Sequence, residues 1–209
     1  MKVKICGLRD NFEEVLALKP DFVGLIFYPK SPRYVGESQN DALKRKLTST
    51  TKKVGVFVNA DYETIVRTAD EYHLDAVQLH GGESPQLCEM LRRDFVVIKA
   101  FSIATAEDLQ RVEAYEGVVD YFLFDTKTVG YGGSGKKFDW QILQSAKINT
   151  PFLLSGGISL DDVSVIKNLK INNFVGVDLN SKFETAPALK DIEKLSKFLD
   201  ILAPRENGL

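Results

Sequence analysis

The sequence predicts a (β/α)8 barrel, and three observations carry the prediction. Eight short apolar runs recur along 209 residues, a spacing of about 25 that lies near the lower limit for this fold. Segments with helical spacing separate the runs. The residues just after each run are polar and glycine-rich, whereas the runs are not. A doubly wound open sheet is the structural rival, but no Gly-x-Gly-x-x-Gly follows the first run. No linker or low-complexity stretch divides the chain, so residues 1–209 are expected to form one barrel domain.

The expected strands, in order, are Val3–Cys6, Phe22–Phe27, Val54–Val58, Ala76–Leu79, Val96–Phe101, Tyr121–Phe124, Phe152–Leu154 and Phe174–Val177. They are short, rich in Val, Ile, Leu and Phe, and mostly lack strict alternation. That is how strands covered on both faces of a parallel sheet read. Between them, Phe12, Val15, Leu16 and Leu18 form one helical stripe, and Tyr62, Ile65, Val66 and Ala69 another. Leu189, Ile192, Leu195 and Leu199 mark the last helix. Asn11, Asp61, Ser84 before Pro85, and Asp161-Asp162 signal helix starts.

Composition excludes several classes. With 27 basic against 29 acidic side chains and a net charge of −2, nothing points to nucleic acid. Two cysteines, Cys6 and Cys88, are too few for a disulfide framework or a thiolate metal site, and the two histidines show no metal-ligand spacing. No stretch approaches about 18 consecutive apolar residues, and the N-terminus lacks a signal-peptide core. A cytoplasmic protein with no membrane partner and no metal is expected.

Barrel enzymes place their chemistry on loops at the C-terminal ends of the strands. Those positions hold Cys6-Gly7, the stretch 28–36 with Arg33, Asn59, His80-Gly81-Gly82, Ser102, Asp125, Ser155-Gly156-Gly157, and Asp178 with Asn180-Ser181. Such a rim suits a polar, anionic ligand. Gly156-Gly157 after strand seven and Asn180-Ser181 after strand eight occupy the slots where barrels often cradle phosphate. The plainer reading of Gly-Gly is a tight turn. Cys6 is either a buried apolar residue or a thiolate base, which would need a nearby cation. Arg33 is either a solvated loop arginine or a bidentate partner for a substrate carboxylate. His80 reads as structural, and Cys88 as core. Asp178 is a further carboxylate on this rim.

The stretch Asp125-Thr-Lys-Thr-Val-Gly-Tyr-Gly-Gly-Ser-Gly-Lys-Lys137 admits two readings. It nearly spells a P-loop, but Lys137 stands where Ser or Thr must hold magnesium. About a dozen residues also separate Asp125 from the next helix, near Trp140, too many for a strand that turns straight into a phosphate-facing helix. The better reading puts Asp125 at a strand end beneath a loop that closes over it, a cover that would raise a carboxyl's pKa. The bland role of Asp125 is a loop cap or a salt bridge to Lys127.

At these residues the chain closely resembles the phosphoribosylanthranilate isomerase family. The blocks are Lys4-Ile-Cys-Gly7, the run from Gly24 to Tyr34, Val54-Gly-Val-Phe-Val-Asn59, Val77-Gln-Leu-His-Gly81, Phe124-Asp-Thr-Lys127, Gly132-Gly-Ser-Gly-Lys136 with Phe138-Asp-Trp140, and Leu154-Ser-Gly-Gly-Ile158. The resemblance implies a cofactor-free Amadori rearrangement of a small phosphosugar substrate, by a monomer or homodimer. It implies Asp125 as general acid and Cys6 as general base, with Arg33 at the anthranilate carboxylate. Gly156, Gly157 and Ser181 would lie at the phosphate, with Asn180 and Asp178 beside the substrate.

One block departs from the family pattern. Where relatives typically read Ser-Ser-Gly-Val-Glu, this chain reads Asn180-Ser-Lys-Phe-Glu184. A left-handed backbone at the glycine slot would strain Lys182 by roughly 1–2 kcal/mol. Two other classes stay open: another phosphosugar barrel, such as a Schiff-base aldolase using Lys99, and a phosphate-binding barrel without catalysis.

Overall fold

The computed structural model describes residues 1–36, 40–126, 138–144 and 146–202. The eight apolar runs are strands, each within two residues of its expected bounds: β1 (Lys2–Cys6), β2 (Phe22–Ile26), β3 (Lys52–Phe57), β4 (Ala76–Leu79), β5 (Val96–Ile103), β6 (Tyr121–Thr126), β7 (Phe152–Leu154) and β8 (Phe174–Leu179). They pair in chain order, and β8 returns to β1 to close a parallel barrel.

The interior is a plug of Phe22, Val54, Ala76, Ile98, Ala100, Leu123 and Leu153. A larger apolar layer, including Val15, Ile65, Val77, Leu91, Ile166 and Phe198, fills the space between barrel and helices. Each fully buried Leu, Ile or Phe stabilises the fold by about 1.5–3 kcal/mol. Side chains alternate along a strand, so positions two residues past the plug also face inward. Beyond the plug itself those positions are Gly24, Val56, Gln78, Ser102, Asp125 and Ser155, polar or glycine in all but Val56. The strands thus read as apolar below and polar above, which places the chemistry at one mouth of the barrel.

The helices are α1 (Phe12–Ala17), α2 (Tyr62–Tyr72), α3 (Pro85–Leu91), α4 (Val163–Asn168) and α5 (Ile192–Leu202). Two expected caps are realised. The Asp61 side chain accepts from the Thr64 amide at 2.8 Å, and Ser84 from Leu87 at 3.3 Å ahead of Pro85. Asn11 precedes α1 but does not cap it. Its side chain instead pairs with the Lys190 backbone in both directions at 2.9 Å. Leu189 lies in a two-stranded ribbon, β9 (Glu184–Ala186) with β10 (Leu189–Lys190), rather than in the last helix. The ribbon diverts the chain because Glu184 and Lys190 are drawn into the ion-pair network described below. After β5 and β6 the connections carry 3-10 helices, Ala106–Tyr115 and Trp140–Gln144, where α-helices belong in an idealised barrel. Among the described residues, no helix is long and apolar enough to cross a membrane.

Candidate active site

Two clusters of polar side chains face the mouth. The first is built on β1 and β8. Lys4 and Cys6 are two residues apart and point to the same side of β1. Parallel pairing sets Lys4 opposite Asp178. All three are buried. Lys4 Nζ donates to Asp178 Oδ1 at 2.9 Å, and Ser155 Oγ to Oδ2 at 3.4 Å. Gly24 on β2 makes room for the cluster. A Cβ there would lie 2.7 Å from Cys6 Sγ and 3.2 Å from Lys4 Nζ. No other residue type fits that position without moving the thiol.

Burial pushes the Cys6 thiol up from its ordinary value, and the Lys4 ammonium beside it pulls the other way. Burial likewise pushes Asp178 up against the pull of Lys4. Lys4 is held above the ordinary lysine value because Asp178 and Cys6 together outweigh its own burial. Lys4 and Asp178 are in ion-pair contact at 2.9 Å, and burial favours the protonated form of the neighbouring thiol.

The second cluster is built on β4 and β6. Asp125 stands near the end of β6, opposite Ser102 of β5. Its Oδ1 accepts from its neighbour's amide, Thr126 N, at 2.8 Å. Oδ2 lies 3.5 Å from His80 Nε2. His80 Nδ1 lies 3.2 Å from Gln78 Nε2. Asp125 and His80 are partly open, with 29% and 25% of their side chains exposed. Gly156 closes over Asp125 from β7. Its φ is +87°, and a Cβ there would lie 2.7 Å from Asp125 Oδ1 and 2.5 Å from Thr126 N. The two clusters stand on strands β8–β1 and β4–β6 of one closed barrel, at the same end of it. The loop 127–137, with its expected lid and Lys127, lies outside the described residues.

Arg33 has a partner within the chain. Its guanidinium is held bidentately by Glu184, with Nε at 2.9 and 3.0 Å and Nη2 at 2.6 Å. Lys190 Nζ joins the network, 2.7 Å from Glu184 Oε1 and 2.8 Å from Asn180 Oδ1. Burial pushes Glu184 up, but Arg33 and Lys190 outweigh it and hold the carboxyl below its usual range. Arg33 is thus a structured rim residue, not a solvated loop arginine. Asn180 is tied to the same network. Gly156 and Gly157 at the end of β7 both adopt positive φ, +87° and +71°. The β7–β8 pairing sets them beside the end of β8, where Ser181 opens a 3-10 turn, Ser181–Phe183. Lys182 lies in that turn and is not among the residues of positive φ. The strain expected at this departure is absent.

The aldolase reading fails on geometry. Lys99 lies on the outer face of β5, between barrel and helices, and is 2% exposed. It donates to Glu83 at 3.1 Å and to the Gly81 carbonyl at 2.8 Å. A substrate carbonyl has no route to it. Cys88 is core as expected, its thiol pushed up to about 11 by burial. Among the described residues, no group of three His, Cys, Asp or Glu side chains is placed to hold a metal.

Sequence reasoning passed over Lys4, Gln78, Glu184 and Lys190. For Lys4 and Gln78 a signal existed: a polar residue inside an apolar strand, two positions before a rim residue, faces the interior. Glu184 and Lys190 carried no such signal, because their meeting depends on the ribbon after β8.

Comparison with known proteins agrees with this geometry. The family model for N-(5'-phosphoribosyl)anthranilate (PRA) isomerase matches residues 3–201. An N-(5'-phosphoribosyl)anthranilate isomerase of Parabacteroides distasonis is 50% identical over 210 residues, covering 98% of this chain and 95% of the relative. The crystal structure of phosphoribosyl anthranilate isomerase from Thermotoga maritima superposes with a TM-score of 0.85 at 34% identity, covering 97% of this chain and 98% of that one. A phosphoribosyl anthranilate isomerase in complex with reduced 1-(o-carboxyphenylamino)-1-deoxyribulose 5-phosphate superposes with a TM-score of 0.82 at 30% identity, with the same coverage. With its closed barrel and the two clusters at one mouth, this chain belongs to the N-(5'-phosphoribosyl)anthranilate isomerase family.

Proposed function

We propose that this chain converts N-(5-phosphoribosyl)anthranilate to 1-(2-carboxyphenylamino)-1-deoxyribulose 5-phosphate, with Asp125 as general acid and Cys6 as general base. The observation that carries the assignment is the placement of a carboxyl and a thiol on opposite sides of one barrel mouth. Asp178 faces both, held by Lys4 at 2.9 Å. No redox change or external electron source is required, because the reaction only moves protons and bonding electrons within the substrate.

Asp125 gives its proton to the ring oxygen as the anomeric C–O bond breaks. The anilino nitrogen supplies the electrons, and the product is a cationic imine at C1. That cation acidifies the C2 proton. The Cys6 thiolate takes it, the C–H electrons form the C1=C2 bond, and the imine π electrons return to nitrogen. The enol then loses its O–H proton as C1 gains one, leaving the ketone at C2. Each positioned transfer is typically worth 10² to 10⁴-fold. Because burial favours the neutral thiol, the base form depends on the Lys4 ammonium.

Gly156, Gly157 and Ser181 are assigned to the phosphate, as their clustering at the ends of β7 and β8 supports. Arg33 is assigned to the anthranilate carboxylate. Its pairing with Glu184 then serves to aim the guanidinium. Asn180 and Asp178 line the space between. The test mixes purified protein with freshly made phosphoribosylanthranilate and follows the loss of its fluorescence. Turnover well above the spontaneous rate is expected, and its absence would sink the assignment.

A further inference from the structure

We propose that Gln78 is a positioning residue for the acid: its amide fixes His80 as the Nε2–H tautomer and so aims that N–H at Asp125 Oδ2. The inference rests on Asp125 being the acid. Along β4, Ala76, Gln78 and His80 all face the barrel interior, because side chains alternate. Gln78 is 1% exposed, and its Nε2 lies 3.2 Å from His80 Nδ1. An amide NH2 only donates, so Nδ1 must accept. The single proton of the neutral ring is then on Nε2, 3.5 Å from Asp125 Oδ2. When Asp125 has delivered its proton, Oδ1 already accepts from Thr126 N–H, and the His80 Nε2–H stands 3.5 Å from Oδ2.

A second observation sets Gln78 apart from an ordinary core residue. Its Oε1 is buried and has no hydrogen-bond partner among the described residues. A buried carbonyl left unpaired is costly, and an apolar side chain of the same shape avoids the cost. Directly below, the plug is entirely apolar. The position therefore sacrifices stability to keep a donor under His80, as a functional site does. Turning the amide over would set Oε1 against Nδ1, move the ring proton to Nδ1 and leave a bare lone pair facing the carboxylate.

The two orientations are separable by ¹⁵N NMR of the full-length protein labelled at histidine. The chain has two histidines, so a His73→Asn variant leaves one ring to observe. The Nε2–H pattern is expected for His80 at neutral pH. In Gln78→Met the ring should lose that preference, kcat should fall about tenfold with KM within about twofold, and Tm should stay level or rise. An Nδ1–H pattern with Gln78 intact would overturn the proposal, as would a Gln78→Met protein with undiminished kcat or with a lowered Tm. If Asp125→Asn keeps full activity, the acid assignment fails while the tautomer result still stands, so the two failures are distinguishable.

Discussion

The two sides of the barrel mouth are built on different principles. On the β1/β8 side, Lys4, Cys6 and Asp178 are all buried, with Lys4 and Asp178 paired within the barrel. On the β4/β6 side, Asp125 and His80 are about one-quarter exposed and stand 3.5 Å apart, with Gln78 3.2 Å from the other ring nitrogen. A base that must lose a proton near neutral pH needs a fixed cation, and a strand supplies one permanently from two residues away. An acid must be covered before it is useful, and cover that admits substrate has to come from a loop. The barrel therefore buries the thiol beside a fixed cation, whereas it leaves the carboxyl partly open.

The largest effects should come from removing the two reacting groups. Asp125→Asn and Cys6→Ser are each expected to lower kcat by about 10² to 10⁴-fold with little change in KM. Steady-state fluorescence assays check both, and near-normal kcat in either variant removes that residue from its role. Next comes Lys4→Met, which probes the claim that the base side is pre-built. It leaves Asp178 buried without its cation, and breaking a buried pair costs about 3–5 kcal/mol. It also removes the charge that favours the thiolate. Denaturant unfolding should register the first loss, and slower alkylation of Cys6 by iodoacetamide at pH 8 the second. Unchanged alkylation would show that Lys4 has no hold on the thiol.

The barrel and its rim residues were legible in the sequence, because both are local in kind. A strand buried on two faces announces itself as an apolar run, and a rim residue as the first polar side chain after it. Cys6 and Asp125 were found that way. What escaped notice was set by long-range meetings. Arg33 and Glu184 are 151 positions apart, and neither side chain reveals the other. Lys4 was half legible: its inward direction follows from Cys6, but its partner Asp178 follows only from the closure of β8 onto β1. Leu189 was misread for the same reason. Its apolar period continues that of α5, but Lys190 is pulled into the network with Glu184 and Asn180.

A smaller effect tests how the acid side is positioned. Gly156→Ala puts a methyl about 2.7 Å from Asp125 Oδ1, at a φ of +87°. The backbone strain alone costs roughly 1–2 kcal/mol. Because the nearby atoms are Thr126 Oγ1, Thr126 N and the Asp125 carboxyl, the loop or the carboxyl must shift. A fall in kcat of more than tenfold, with Tm lowered by several degrees, is expected, since small misplacements of a reacting group are costly. Normal kcat with only a lowered Tm would show that Asp125 does not depend on close packing by β7.

The smallest effect is a pH dependence of stability that belongs to the base side alone. Burial raises the Cys6 thiol above its ordinary value of 9.0, so the folded chain holds that proton more tightly than the unfolded chain. The stability linked to the thiol is then fully present below about pH 9 and lost progressively above it, as the unfolded chain gives up its proton first. Cys6→Ala has no such group. Urea unfolding of both proteins between pH 7 and 10.5 should therefore show the native chain losing ground relative to the variant only in the alkaline part of the range. A constant difference across the range would mean that the thiol is not held in its neutral form, and the contrast between a buried base and an open acid would lose its electrostatic half.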